Sequence, residues 1–200
     1  MLYLFSSVYD DITILPQFIE HYLQLGIDRV VLNINTRQDP LMLDKVRFFT
    51  RDYPVSVSTV FCEPHTWPLQ NLLRNRAQDQ YMSDNDWAII ADIDEFQEYP
   101  SSLAALLRSC EEKGENSIYG SFLDRISSTG ELPLLRSDLP VGLQFPIGVP
   151  LTRKILRAPA DKVVAVRGSL RPPATCTPMT ILRDEFGGRT SAVRATIHHF

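Results

Sequence analysis

Trp87-Ala88-Ile89-Ile90-Ala91-Asp92-Ile93-Asp94-Glu95-Phe96 passes from an apolar run suited to a buried strand into three acids. Burying an unpaired carboxylate is costly, so acids gathered at a strand's end imply something positive beside them. A hard divalent cation is the simplest candidate, because it prefers oxygen ligands and keeps phosphate in its shell. Spacing alone proves little, since an acid-rich chain yields Asp-x-Asp by chance. A second copy, Asp84-Asn85-Asp86, stands just upstream in a polar stretch and reads as a solvated turn. The Asp92/Asp94 pair differs by following a buried-strand pattern, here expected to span Trp87 to Ile93.

Outward from this stretch, the first half alternates strand and helix patterns. Leu2 to Ser6 is a short apolar strand, and Ile14, Leu15, Phe18, Ile19, Tyr22 and Leu23 recur at helical spacing up to Gly26. Val30 to Leu32 is β-rich. Leu41 to Phe49 suits a helix with Phe48 and Phe49 on its apolar side. Val55 to Phe61 alternates as a strand does. Leu69 to Met82 reads as a polar amphipathic helix, and Ser101 to Lys113 as another, with Ser101 as N-cap. Repeated β-α units predict an α/β fold with a mostly parallel central sheet and helices on both faces. Ligands of such sheets bind outside the C-terminal strand ends. If the first and fourth strands are neighbours, Asp10, Asp11, Asp92 and Asp94 face one crevice.

The second half is broken by Pro133, Pro140, Pro146, Pro150, Pro159, Pro172, Pro173 and Pro178. Ser117 to Phe122, Leu143 to Ile147 and Lys162 to Val166 read as short strands in an irregular, Pro-rich region. One domain over 1–200 is expected, with residues 1–115 as a nucleotide-binding half and 116–200 as an acceptor-side half shaped by loops.

With 44% hydrophobic residues over 200, the chain can bury a substantial core. A net charge of −4 excludes a broad basic nucleic-acid surface, so phosphate charge must be met locally. Cys62, Cys110 and Cys176 are far apart and odd in number, which argues against a disulfide framework and for a reducing cytoplasm. No apolar run approaches a membrane span; attachment at a membrane surface stays open.

Ordinary P-loop chemistry is excluded by the lack of Gly-x-x-x-x-Gly-Lys, and no Gly-x-Gly-x-x-Gly follows the first strand. Among candidate site residues, Arg74 and Asn75 either lie on a solvated helix face or reach a nucleotide. Asn33 and Asn35 are either turn formers or contacts to a base or ribose. His198 and His199 are either inert or complete an Asp-bound metal site, since neutral imidazole is a common ligand. Asp124, beside Arg125, is either a local ion pair or a general base. His21 and His65 read as structural.

Together, Leu15 to Tyr22 with Leu25-Gly26-Ile27-Asp28, Arg74-Asn75-Arg76-Ala77, Trp87 to Phe96, Asp124-Arg125-Ile126 and His198-His199-Phe200 resemble a bacterial branch of glycosyltransferase family 2, of GT-A fold. The likeness runs over nearly the whole chain. It implies Mn²⁺ or Mg²⁺ bridging the diphosphate of a UDP- or GDP-sugar to Asp94, with Asp92 near the ribose or metal and His198 or His199 as a further ligand. An acceptor hydroxyl on a glycan, lipid or other molecule would attack with inversion, helped by a carboxylate, for which Asp124 and Glu95 are the candidates. Two departures stand out. Val8-Tyr9-Asp10-Asp11 replaces a basic residue, Asn and Glu, with Asp11 as the stand-in acid, and Asn33 or Asn35 replaces an Asp. The rival expectation is a degenerate, non-catalytic domain of this fold that binds a glycan or a protein. A nucleotidyltransferase or phosphatase using the same acids is a weaker third.

Overall fold

A computed structural model describes residues 1–131, 133–168, 170–171 and 188–200. Cys176, Pro172, Pro173 and Pro178 lie outside the described residues. Four strands, β1 (Leu2–Val8), β2 (Arg29–Asn35), β3 (Val55–Phe61) and β4 (Trp87–Ile90), alternate with helices α1 (Leu15–Gln24), α2 (Met42–Thr50) and α3 (Trp67–Tyr81). The chain continues through β5 (Glu95–Glu98), α4 (Leu103–Lys113), β6 (Ser117–Ile126), α5 (Val141–Gln144), β7 (Ile147–Val149), α6 (Leu151–Lys154), β8 (Asp161–Arg167) and β9 (Thr190–His199).

All nine strands form one sheet, ordered β3-β2-β1-β4-β8-β6-β9-β5, with β7 paired to β6. The β3-β2-β1-β4 side is parallel throughout. Beyond it the pairing is mixed: β8 runs antiparallel to β4 and β6, β9 is parallel to β6, and β5 is antiparallel to β9. Helices cover both faces, as the alternation of apolar residues requires. Leu4, Leu32 and Ile89 point to the side of Phe18 and Tyr22 of α1, Met42 and Val46 of α2, and Leu106 of α4. Tyr3, Phe5, Val31 and Ile90 point to the other side, toward Ala77 of α3. Each fully buried aromatic or aliphatic side chain contributes about 1.5–3 kcal/mol.

Helix α1 ends as predicted, at Gly26, whose φ of 95° lies in the left-handed region. Several expectations need correction. Phe48 and Phe49 are exposed, at 64% and 42%, while Met42, Val46 and Thr50 at helical spacing turn inward. The N-cap of α4 is Ser102, whose side chain accepts from the Ala105 N–H, and not Ser101. The fourth strand stops at Ile90, since Asp92 to Asp94 form a turn. Asp86 of the upstream acid pair is buried and accepts from the Ser83 N–H and hydroxyl. Leu143 is helical, not part of a strand. The second half is not a string of short pieces either: β6 and β9 each run ten residues through the sheet. Among the described residues no helix is long and apolar enough to cross a membrane.

Candidate active site

Pairing of β1 with β4 brings the loop after β1 beside the turn after β4. The cleft there, about 370 Å³, is lined by Tyr9, Asp10, His65, Trp67, Asp92, Asp94, Glu95, Phe122, Thr152 and His199 among others. It sits at the C-terminal ends of parallel strands, where α/β sheets take ligands.

The turn carrying the acids is clamped from below. Lys162 of β8, 2% exposed, donates to both Glu95 oxygens at 2.8 and 2.7 Å and to Asp92 Oδ2 at 3.0 Å. Glu95 Oε2 also accepts from the Asp92 N–H at 3.0 Å. Burial pushes the Glu95 pKa up to about 7, against the pull of Lys162. Burial also opposes the Asp92 charge, but Lys162, then Arg74, hold its pKa below the ordinary value. Glu95 thus lines the cleft with both carboxylate oxygens engaged by Lys162. Nothing in the sequence marked Lys162 beyond its standing at the start of the strand pattern of 162–166.

Asp94 is differently placed. Its pKa is raised, first by burial and then by the charge of Asp92. Facing it is His199 of β9, whose Nε2 lies 3.6 Å from Asp94 Oδ2. The other ring nitrogen, Nδ1, lies 3.1 Å from Asp124 Oδ1. Burial works against the Asp124 charge, but bonds from Thr152 and His199 bring its pKa below the ordinary value, so it is ionised and Nδ1 carries the proton. The Asp94–His199 gap is too long for a hydrogen bond, and both side chains line the cleft. Asp94 and His199 would be the residues to hold a divalent cation here, through a carboxylate oxygen and an imidazole nitrogen. Asp124 in turn accepts from the Thr152 N–H and hydroxyl, each at 2.7 Å. Asp124 thus takes three hydrogen bonds, from the Thr152 N–H and hydroxyl and from His199.

Among the described residues no three His, Cys, Asp or Glu side chains group to cage a metal on their own. Asp94 and His199 fit a cation that takes its remaining ligands from phosphate and water. His198 points to the opposite face of β9, with Nε2 2.9 Å from Glu98 Oε2, away from this pair.

The remaining candidates divide. A narrow side cavity off the cleft is lined by Ser6, Asn33, Gln70, Arg74 and Asp92. There Ser6 Oγ, Asn33 Oδ1 and Arg74 Nε are buried without hydrogen-bond partners. Burial lowers the Arg74 pKa to about 10, partly offset by Asp92. Asn75 lines neither cavity. Asn35 is a loop anchor, donating to the Glu63 carbonyl at 3.0 Å and accepting from the Arg37 N–H. Asp11 accepts from the Thr13 N–H and lines a separate hollow near α2, outside the cleft. His65 stacks on Tyr9 with ring centroids 4.6 Å apart and contacts Gln70, at the cleft wall beside half-exposed Trp67. His21 is structural, its Nε2 2.9 Å from the Gln97 carbonyl oxygen.

Fold and cleft define an α/β protein of Rossmann-like build, with an acid-rich ligand site at the parallel strand ends. No protein-family model matches the chain, and no curated protein matches it in sequence. Solved structures do share the fold. HddC from Yersinia pseudotuberculosis complexed with GMP-PN aligns over 100% of this chain and 93% of its own, at 12% identity and TM-score 0.52. A mycobacterial protein aligns over 100% of this chain and 67% of its own, at 12% identity and TM-score 0.51. TarS from S. aureus, residues 1–349, aligns over 98% of this chain at 12% identity and TM-score 0.47; the chain spans only 57% of its length.

Proposed function

We propose that the cleft binds a nucleotide sugar, with a divalent cation on Asp94 and His199 against its diphosphate, and transfers the sugar to an acceptor hydroxyl. The observation that carries this reading is the placing of Asp94 and His199 3.6 Å apart in the cleft, with Asp124 behind His199, at the strand ends. The shared fold of HddC, complexed with GMP-PN, supports a nucleotide ligand. A bound Mn²⁺ or Mg²⁺ would supply Lewis-acid stabilisation of the charge developing on the departing diphosphate.

The chain's own residues do the rest. The side cavity of about 20 Å³ beside Ser6, Asn33 and Arg74 has room for a water and not for a ribose or base. Tyr9, His65 and Trp67 offer ring faces for the sugar or base. The acceptor oxygen bonds to the anomeric carbon as the bond to diphosphate breaks, and its proton must pass to a base. Among the acids lining the cleft, Asp10 is exposed and uses only Oδ1, accepting from the Asp11 N–H. Asp10 is therefore better placed as base than Asp124 or Glu95. A single attack of this kind inverts the anomeric carbon.

A melting series tests the binding step. GDP or UDP with Mn²⁺ should raise Tm, since ligand at about 100 times its Kd adds roughly 2.7 kcal/mol. Neither nucleotide should do so alone. No shift with either would sink the reading; a shift with no turnover of any nucleotide sugar would leave a binding domain of this fold. Asp124→Asn should weaken Mn²⁺ binding by about 10–100-fold, because ligand orientation is lost while the ligands stay. Titration calorimetry reads that change, and unchanged affinity would mean that Asp124 does not set the ring.

A further inference from the structure

From Pro140 to Ala160 the chain carries no acidic residue, although its net charge is −4. This stretch holds Arg153, Lys154 and Arg157, all exposed. None of the three is in an ion pair among the described residues. It also exposes large apolar side chains: Leu143 at 68%, Ile147 at 41%, Ile155 at 68% and Leu156 at 70%. Scattered surface apolar residues need no explanation, but such a run interleaved with cations does.

The segment is ordered by specific bonds. Arg125 of β6 donates to the Phe145 and Pro146 carbonyls at 3.1 and 3.0 Å. Thr152 of α6 is held by Asp124. The Leu156 N–H returns to the Leu151 carbonyl, and Arg157 takes a φ of 52°, a left-handed conformation unusual for a residue with a side chain. Ile155 and Leu156 are thus presented on a fixed turn between two cations and a third.

We propose that Leu143 to Arg157 docks this protein on an anionic phospholipid surface. The apolar side chains enter the headgroup boundary while Arg153, Lys154 and Arg157 meet lipid phosphates, the two-part attachment that interfacial segments use. Charge complementarity selects this occupant: an acid-free stretch sets three exposed cations among exposed apolar side chains, which suits lipid phosphates above an apolar layer. Because Thr152 also lines the cleft, docking turns that side of the cleft toward the bilayer. A membrane-borne hydroxyl acceptor follows as a corollary. That corollary rests on the glycosyl-transfer reading; the docking does not.

Co-sedimentation with phosphatidylcholine vesicles, with and without phosphatidylglycerol, tests it in the absence of nucleotide. Wild-type chain should sediment with the anionic vesicles, and raised salt should release it. Each basic residue near an anionic surface strengthens binding about fivefold, so Arg153→Gln with Lys154→Gln should weaken it by about 25-fold. Ile155→Asp with Leu156→Asp should reduce it to background at unchanged Tm. No sedimentation with anionic vesicles overturns the proposal, as does equal binding by these variants. A dimer that Leu156→Asp dissociates, without vesicle binding, overturns it in favour of a second copy of the chain.

Discussion

Asp94→Asn should abolish Mn²⁺-dependent release of nucleoside diphosphate while leaving the fold as stable as before, or slightly more so. The two halves of this expectation have one cause. Burial and the charge of Asp92 both raise the Asp94 pKa, so in the metal-free protein its charge is unfavourable. A neutral isostere removes that repulsion. It also removes the anionic partner that makes a cation bind against His199. Several kcal/mol of Lewis-acid stabilisation go with it, which corresponds to about a thousandfold in rate. Turnover of a nucleotide sugar and the Tm of the metal-free variant are the two measurements. A variant that keeps the wild-type Mn²⁺-dependent Tm shift would remove Asp94 from the site. Such opposed effects on stability and activity mark residues retained for function.

Lys162→Met should destabilise the protein by about 3–5 kcal/mol, the usual cost of leaving buried charge without its partner. For a chain of this size that lowers Tm by roughly 10 °C. Two carboxylates lose their ammonium at once, and Glu95 is only 3% exposed. The loss should depend on pH in a defined direction. Lys162 is what holds the Glu95 pKa down to about 7, so without it the pKa rises further. A carboxyl whose folded pKa exceeds its unfolded value takes up a proton on folding. Stability therefore falls as pH rises through that window and is regained as pH drops. In metal-free buffer the variant should melt higher at pH 6 than at pH 8, with a steeper slope than wild type. Adding Glu95→Gln should restore part of the loss. A cost below about 1 kcal/mol would mean that the clamp does not hold the turn.

The β3-β2-β1-β4 half was legible because each parallel unit is short, local and marked by its own periodicity. Gly26 ended a helix for reasons carried by that residue alone. The other half depends on partners far along the chain. β9 sets only Val193, Ala195 and Ile197 toward the core among Ser, Thr, Arg and His, too weak an alternation to announce a ten-residue strand. Without that strand, His198 and His199 could not be told apart; period-two alternation sends one to the cleft and the other to Glu98. Lys162 gave no local signal because its partners, Asp92 and Glu95, lie about seventy residues away in sequence. Phe48 and Phe49 misled because two adjacent aromatics cannot both face the core from a helix whose inward positions are Met42, Val46 and Thr50.

The place of β9 has a consequence for how the site comes into being. Among the described residues β5 joins the sheet only through β9, and β9 also supplies His199. The turn bearing Asp94 is thus moored downstream by a strand made about a hundred residues later. Pairings over such distances form late, after the local β-α units have collapsed. During synthesis the parallel half can assemble with its acids already in sequence, yet competence waits for the last strand to slide between β6 and β5. A partly made chain would own the acids and lack the site.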